Sequence, residues 1–222
     1  MRVKILVSWS GGKDSAMALH EILVKDTFEV MALLTTITEE YDRVSLHGVR
    51  RGLVERQAKS IGVPMEEVFI PRNVSNEEYG SMMEDVLLKY KDQGVLSVMF
   101  GDVFLEDVRD YRESNLRKVG MKGIFPLWKR DSETLVESFI DLGFKAVITC
   151  IDSNVLDRQF VGRILDKDLL AEFPSHVDSS GENGEYHSFV FDGPVFENAI
   201  RFSVGEVVSR DGFHYCDLIP RE

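Results

Sequence analysis

Residues 8 to 15 read Ser-Trp-Ser-Gly-Gly-Lys-Asp-Ser, between the apolar run Val3 to Val7 and a helix-like stretch from Ala16 to Leu23. A strand, a glycine turn and a helix start in that order make an anion site. First-turn N–H groups lack intrahelical partners, and the helix dipole favours negative charge there. Gly11 and Gly12 admit an anion close to the backbone, Lys13 adds a point charge, and Ser8, Ser10 and Ser15 supply hydroxyls. Phosphate is the expected guest. Asp14 would repel it unless a cation lies between, which points to Mg²⁺ arriving with a nucleotide. The Walker pattern does not fit, because Val7 and Asp14 stand where it requires Gly and Ser or Thr.

A second dense stretch is Gly181-Glu182-Asn183-Gly184-Glu185-Tyr186-His187-Ser188, followed by Asp192-Gly193-Pro194. Two carboxylates, a phenol and an imidazole around two glycines suit either a site that binds ammonium and orients an amine, or an acidic surface turn. Four further candidates stand at strand ends, in the connection after the second strand and on the helix after Gly101-Asp102. Thr35 and Thr36 either border a nucleotide or are simply good strand residues. Gly101-Asp102 allows close ligand approach with a carboxylate for Mg²⁺ or ribose, or else caps a helix. His47 either meets the phosphates or is a surface histidine. Arg112 either reaches an anionic substrate or forms an exposed ion pair.

The elements that must position these residues alternate. Strands are expected at 3 to 8, 30 to 36, 68 to 70, 95 to 100 and 146 to 151, with helices near 14 to 25, 49 to 61, 76 to 94, 107 to 119 and 132 to 143. That alternation predicts an α/β fold with a doubly wound parallel sheet, ligands binding beyond the carboxyl ends of its strands. After Asp152 the pattern changes to a helix near 161 to 172 and extended runs at 186 to 192, 200 to 209 and 213 to 218. A division into residues 1–152 and a smaller C-terminal α+β lobe, 153–222, packed on the first, is therefore expected.

The chain has 222 residues and a formal net charge of −12, with only Cys150 and Cys216 as thiols. Two separated cysteines support neither a disulfide framework nor a zinc site. The acidic balance argues against a nucleic-acid partner, and no apolar run approaches the ~20 residues that span a bilayer. With no secretory signal after Met1-Arg2, a cytoplasmic location is expected; the acidic surface permits a homodimer.

Ser10-Gly-Gly-Lys-Asp-Ser15 resembles the PP-loop of the N-type ATP pyrophosphatases, which cleave ATP between the α and β phosphates. Combined with Gly101-Asp102, Tyr111-Arg112, Leu127-Trp128 and the 181–194 stretch, the chain resembles the diphthine–ammonia ligase family over nearly its whole length. One departure is Ser188, where threonine is usual. The resemblance implies an adenine nucleotide alpha hydrolase-like fold and an ATP-dependent amidation of diphthine on elongation factor 2, with ammonia displacing AMP. Free ammonium is the expected nitrogen source, as no glutaminase region is apparent. Under that reading Lys13, Asp14, Glu182, Glu185, Tyr186 and His187 are the catalytic candidates. Ser8, Ser10, Gly11, Gly12, Ser15, Thr35, His47, Gly101, Asp102 and Arg112 join Lys13 and Asp14 around ATP, with Asp14 and Asp102 on Mg²⁺.

Overall fold

The computed structural model describes residues 2–222. The first half of the chain runs β1 (Val3–Ser8), α1 (Lys13–Lys25), β2 (Phe28–Thr38), β3 (Arg43–Val44), α2 (Arg51–Ile61), β4 (Met65–Ile70), α3 (Asn76–Lys91), β5 (Ser97–Met99), α4 (Glu106–Lys118) and β6 (Lys122–Ile124). Five strands lie parallel in the order β4-β2-β1-β5-β6. The order reverses between β1 and β5, so a crevice opens where the 8–15 loop and Gly101-Asp102 leave the sheet. The short β3 pairs antiparallel with Ile37 and Thr38, residues whose other edge is taken by Phe69 and Ile70 of β4. It must therefore lie on the β1 side of β2, beyond Ser8, and the turn that follows it overhangs the same crevice.

Alternation along the strands builds two cores. Ile5 and Val7 of β1, with Leu33 and Ile37 of β2, face α1 and α2, while Leu6, Ala32 and Leu34 face α3 and α4. Helix boundaries follow local chemistry. Gly62 in the left-handed region ends α2, and a Ser75–Glu78 capping box starts α3. Among the described residues, no helix is long and apolar enough to cross a membrane. The basic pairs Arg50-Arg51 and Lys129-Arg130 are all held by carboxylates, so they form no basic stripe.

After α5 (Ser132–Asp141) the chain forms β7 (Lys145–Asp152), α6 (Lys167–Ala171), β8 (Tyr186–Asp192), β9 (Phe202–Arg210) and β10 (Phe213–Pro220). These strands make a second, antiparallel sheet in the order β8-β7-β10-β9. β7 thus belongs to this sheet and not to the parallel one, and the change of sheet falls between Ile124 and Lys145. Apolar content alone made it resemble a parallel strand, and the pairing partners that decide the matter lie 35 or more residues later. The expected helix at 161 to 172 shrinks to α6. Gly162 N–H donates to Ile148 O at 2.8 Å and Leu165 N–H to Ala146 O at 2.9 Å, so extended pairing with β7 overrides helical spacing.

The two sheets meet at the 8–15 loop through the fully buried carboxamide of Gln57 on α2. Its Oε1 accepts from Trp9 Nε1 at 2.9 Å, and its Nε2 donates to Gly11 O at 3.0 Å and to Val190 O of β8 at 2.6 Å. Val190 N–H also donates to Gly11 O at 2.9 Å. Gly11 sits at φ +78, with the space for a Cβ taken by Gln57, so no other residue fits there without strain. Replacing Gln57 by leucine leaves the Trp9 N–H and the Val190 carbonyl buried without partners, at a cost of ~3 kcal/mol. Urea unfolding with an unchanged m-value checks this, and a loss under ~1 kcal/mol would contradict the role assigned to the junction.

Candidate active site

Gly12 is the N-cap of α1 and adds no side chain at the helix start. The loop is set by Ser10 Oγ, which accepts from Gly12 N–H at 3.2 Å, and by Ser188 Oγ of β8, which accepts from Lys13 N–H at 3.2 Å. Ser188 thus makes the loop contact through the hydroxyl it shares with threonine. Gly101 packs at the end of β5 where a Cβ would come within 2.7 Å of the Asp14 carbonyl carbon, so glycine lets β5 close against the start of α1.

Around this start lies a polar cavity of about 280 Å³ walled by Ser8, Ser10, Gly12, Lys13, Asp14 and Ser15. Its other walls include His47, Gly101, Asp102 and Arg112, and from the distant 181–188 stretch Glu182, Tyr186 and His187. Beside it a more apolar cavity of about 230 Å³ is lined by Leu34, Thr36, Val44, Met83, Leu87 and Val98 among others. Ser8, Ser10, Leu46, His47, Phe100 and Arg112 wall both. Together they offer a more apolar compartment joined to a polar one through shared walls.

Three sequence candidates stand apart from the cavities. Gly11 shapes the loop through its backbone. Thr35 faces inward and donates from Oγ1 to Trp9 O at 2.9 Å, while Thr36, on the other face of β2, lines the apolar cavity. The one-residue alternation of a strand decides between them. Glu185 is buried beneath its loop, where Oε1 accepts from Asp178 N–H at 3.1 Å and Asn183 Nδ2 at 2.9 Å. It is placed to hold the loop and does not wall the polar cavity. Conversely, Leu46, Phe100, Leu105 and Ser188 wall the polar cavity and were not among the candidates. Leu46 and Phe100 adjoin His47 and Gly101, and Ser188 closes the 181–188 stretch; Leu105, and Gln57 in mid-helix, give no such signal.

The charges of the polar cavity oppose one another. Lys13 is buried and donates to both Asp14 oxygens, at 2.9 and 2.8 Å, with its ammonium 5.2 Å from the Tyr186 ring centroid. Burial raises the Asp14 pKa against the pull of Lys13. Arg112 Nε lies 2.9 Å from Asp102 Oδ2 without hydrogen-bond alignment, and both atoms are buried with no other partner. An oxygen so placed, beside Asp14, fits the hard donor set that Mg²⁺ takes together with phosphate oxygens.

The 181–188 loop brings its own groups. Glu182 Oε1 accepts from Val103 N–H at 2.7 Å, tying the loop to the end of β5. Burial, then the facing Asp14 and Asp102, push Glu182 up to about 7. Gly181, at φ +65, lies against the Tyr186 ring, whose hydroxyl donates to Ser179 O at 2.7 Å. His47 and His187 pack ring on ring, centroids 4.6 Å apart; burial brings His47 down to about 4 and holds His187 well below its usual value. Both imidazoles are neutral at pH 7.

A carboxyl whose folded pKa exceeds its unfolded value favours folding at low pH and loses that contribution as pH rises through the folded value. The stability of the wild type relative to Glu182→Gln therefore falls between pH 5 and pH 8. Thermal melts of the two proteins across that range check it; a constant difference would contradict the burial assigned to Glu182.

Residues 1–123 match the diphthamide synthase N-terminal domain and residues 131–218 the diphthamide synthase C-terminal domain. The chain is 26% identical over 237 residues to a diphthine–ammonia ligase of Schizosaccharomyces pombe, covering 97% of this chain but 39% of that protein. It is 26% identical over 240 residues to the diphthine–ammonia ligase of Homo sapiens, covering 96% of this chain and 88% of that one. The Danio rerio protein of the same name is 27% identical over 237 residues, with 96% and 91% covered. The U34-tRNA thiolase NcsA from Methanococcus maripaludis aligns with 64% of this chain and 58% of its own at 14% identity and a TM-score of 0.39. Two domain matches, in order and together spanning most of the sequence, place this chain in the diphthamide synthase family.

Proposed function

We propose that this protein is an ATP-dependent amide ligase. It adenylates the carboxylate of diphthine on elongation factor 2, releases pyrophosphate, and amidates the activated carboxyl with ammonia. The observation that carries this reading is that the 8–15 loop and the 181–188 loop wall one cavity, so phosphate-gripping and proton-handling groups face each other. Relatives named diphthine–ammonia ligase support the choice of acceptor.

The adenine ring enters the apolar cavity and the phosphates reach the start of α1. There Lys13, Ser10 and Ser15 grip the β and γ phosphates, which leaves the α phosphorus toward the acceptor. Asp14 and Asp102 would hold Mg²⁺, whose chemistry there is to neutralise phosphate charge. The acceptor carboxylate oxygen bonds to the α phosphorus as the α–β bridge bond breaks, giving an acyl adenylate and pyrophosphate. Ammonia then bonds to the acyl carbon and AMP departs. Glu182, with its pKa near the operating pH, receives the proton that ammonium or the new amide must lose. Tyr186 walls the cavity beside Lys13, and the neutral His47–His187 pair adds no further positive charge there.

Incubation with ATP, Mg²⁺, ammonium and diphthine-bearing elongation factor 2 is expected to give AMP and pyrophosphate in equal amounts. Lys13→Ala should lower that rate by about 100-fold or more, as removal of a preorganised transition-state donor does. Formation of ADP, or an unchanged rate in Lys13→Ala, would overturn the mechanism; turnover with another carboxylate alone would overturn the acceptor.

A further inference from the structure

The turn between β3 and α2 has an unusual residue at its tip. Leu46 lies at φ +65, and His47 N–H donates to Ser45 O at 2.8 Å, which closes a three-residue γ-turn around it. That turn is rare and strained for an L residue. Among the described residues, five non-glycine positions have positive φ. Three are aspartates, Asp26, Asp42 and Asp211, whose short polar side chains tolerate the conformation, and a fourth is Lys129. Leu46 is the apolar one.

The strain is held from outside. Ser45 N–H donates to Thr36 O at 3.1 Å and Gly48 N–H to Val44 O at 3.0 Å. The Gly48 Cα packs on the Tyr215 ring, and Arg43 and Arg50 flanking the turn both bind Asp217 of β10. So many anchors fix one conformation, and that conformation leaves the Leu46 side chain 75% exposed. An exposed leucine by itself needs no explanation. A leucine held in a disfavoured backbone conformation, walling both cavities, does need one.

Leu46 and Phe100 are the apolar residues shared by the two cavities, at the passage a nucleotide must thread to place its base in one and its phosphates in the other. We propose that Leu46 is a nucleotide-contact residue. The strained γ-turn presents it at the junction of the cavities, and the bound nucleoside covers it. This rests on the reading that ATP occupies those cavities. Burial of the leucine on binding then adds affinity for the nucleoside and none for the phosphates, and the turn keeps its strain because the contact needs that geometry.

Calorimetric titration with ATP, AMP and pyrophosphate, together with thermal melts, tests it on wild type, Leu46→Ala, Leu46→Gly and Leu46→Met. Both truncations should weaken ATP and AMP by ~10-fold and leave pyrophosphate unchanged. Leu46→Gly should melt a few degrees above Leu46→Ala, since glycine alone relieves the positive φ. Leu46→Met should bind within ~3-fold of wild type. Unchanged AMP affinity in Leu46→Gly, an equal loss for pyrophosphate, or a glycine variant melting no higher than the alanine one would overturn the inference. A wild-type protein that binds neither ATP nor AMP would instead overturn the reading of the cavities, and this inference with it.

Discussion

The buried carboxamide of Gln57 joins Trp9, Gly11 and Val190, and with that one side chain the geometry of the site is set. A glycine loop left to itself has many conformations, and glycine loses more entropy on ordering than any other residue. Here the loop is ordered by two hydrogen bonds to Gly11 O, from Gln57 Nε2 and Val190 N–H, and by Ser188 Oγ at Lys13 N–H. Because Val190 and Ser188 belong to β8, the antiparallel sheet is part of the phosphate loop's scaffold. The second sheet therefore does two jobs. It holds the loop, and from the same strand it presents Tyr186 and His187 to the cavity.

Charge is the second constraint. Asp14, Asp102 and Glu182 converge in a chain of formal net charge −12, and the cations walling the polar cavity are Lys13 and Arg112. Each is engaged by an aspartate, Lys13 by Asp14 and Arg112 by Asp102. Such a site is poor for a bare anion. Under the proposed function, Asp14 and Asp102 would hold Mg²⁺, which would neutralise phosphate charge and make the site favourable for ATP. The uncharged His47 and the raised Glu182 pKa keep further charge out of the same cavity.

Local chemistry made much of this legible. The 8–15 octet, Gly101-Asp102, His47, Arg112 and the 181–188 stretch carry their chemistry in residue type and spacing, and most of their side chains or backbones line the cavity. Long-range pairing made the rest illegible. β7 reads as a buried parallel strand until β8 and β10 claim its edges. The choice of Thr36 over Thr35 rests on which face of β2 turns to the crevice, and the inward turn of Glu185 on its bonds to Asp178 and Asn183. Gln57 is a polar residue on an amphipathic helix like many others, and only the fold shows what it touches.

In the proposed reaction the cavity activates a carboxylate by bonding one of its oxygens to the α phosphorus of ATP. Elongation factor 2 bearing diphthine with an ¹⁸O-labelled carboxylate tests this in one turnover, by mass spectrometry of the nucleotide and phosphate products. Adenylation of the carboxylate puts label in AMP and none in pyrophosphate. Label in inorganic phosphate, with ADP as the nucleotide product, or AMP without label, would contradict it.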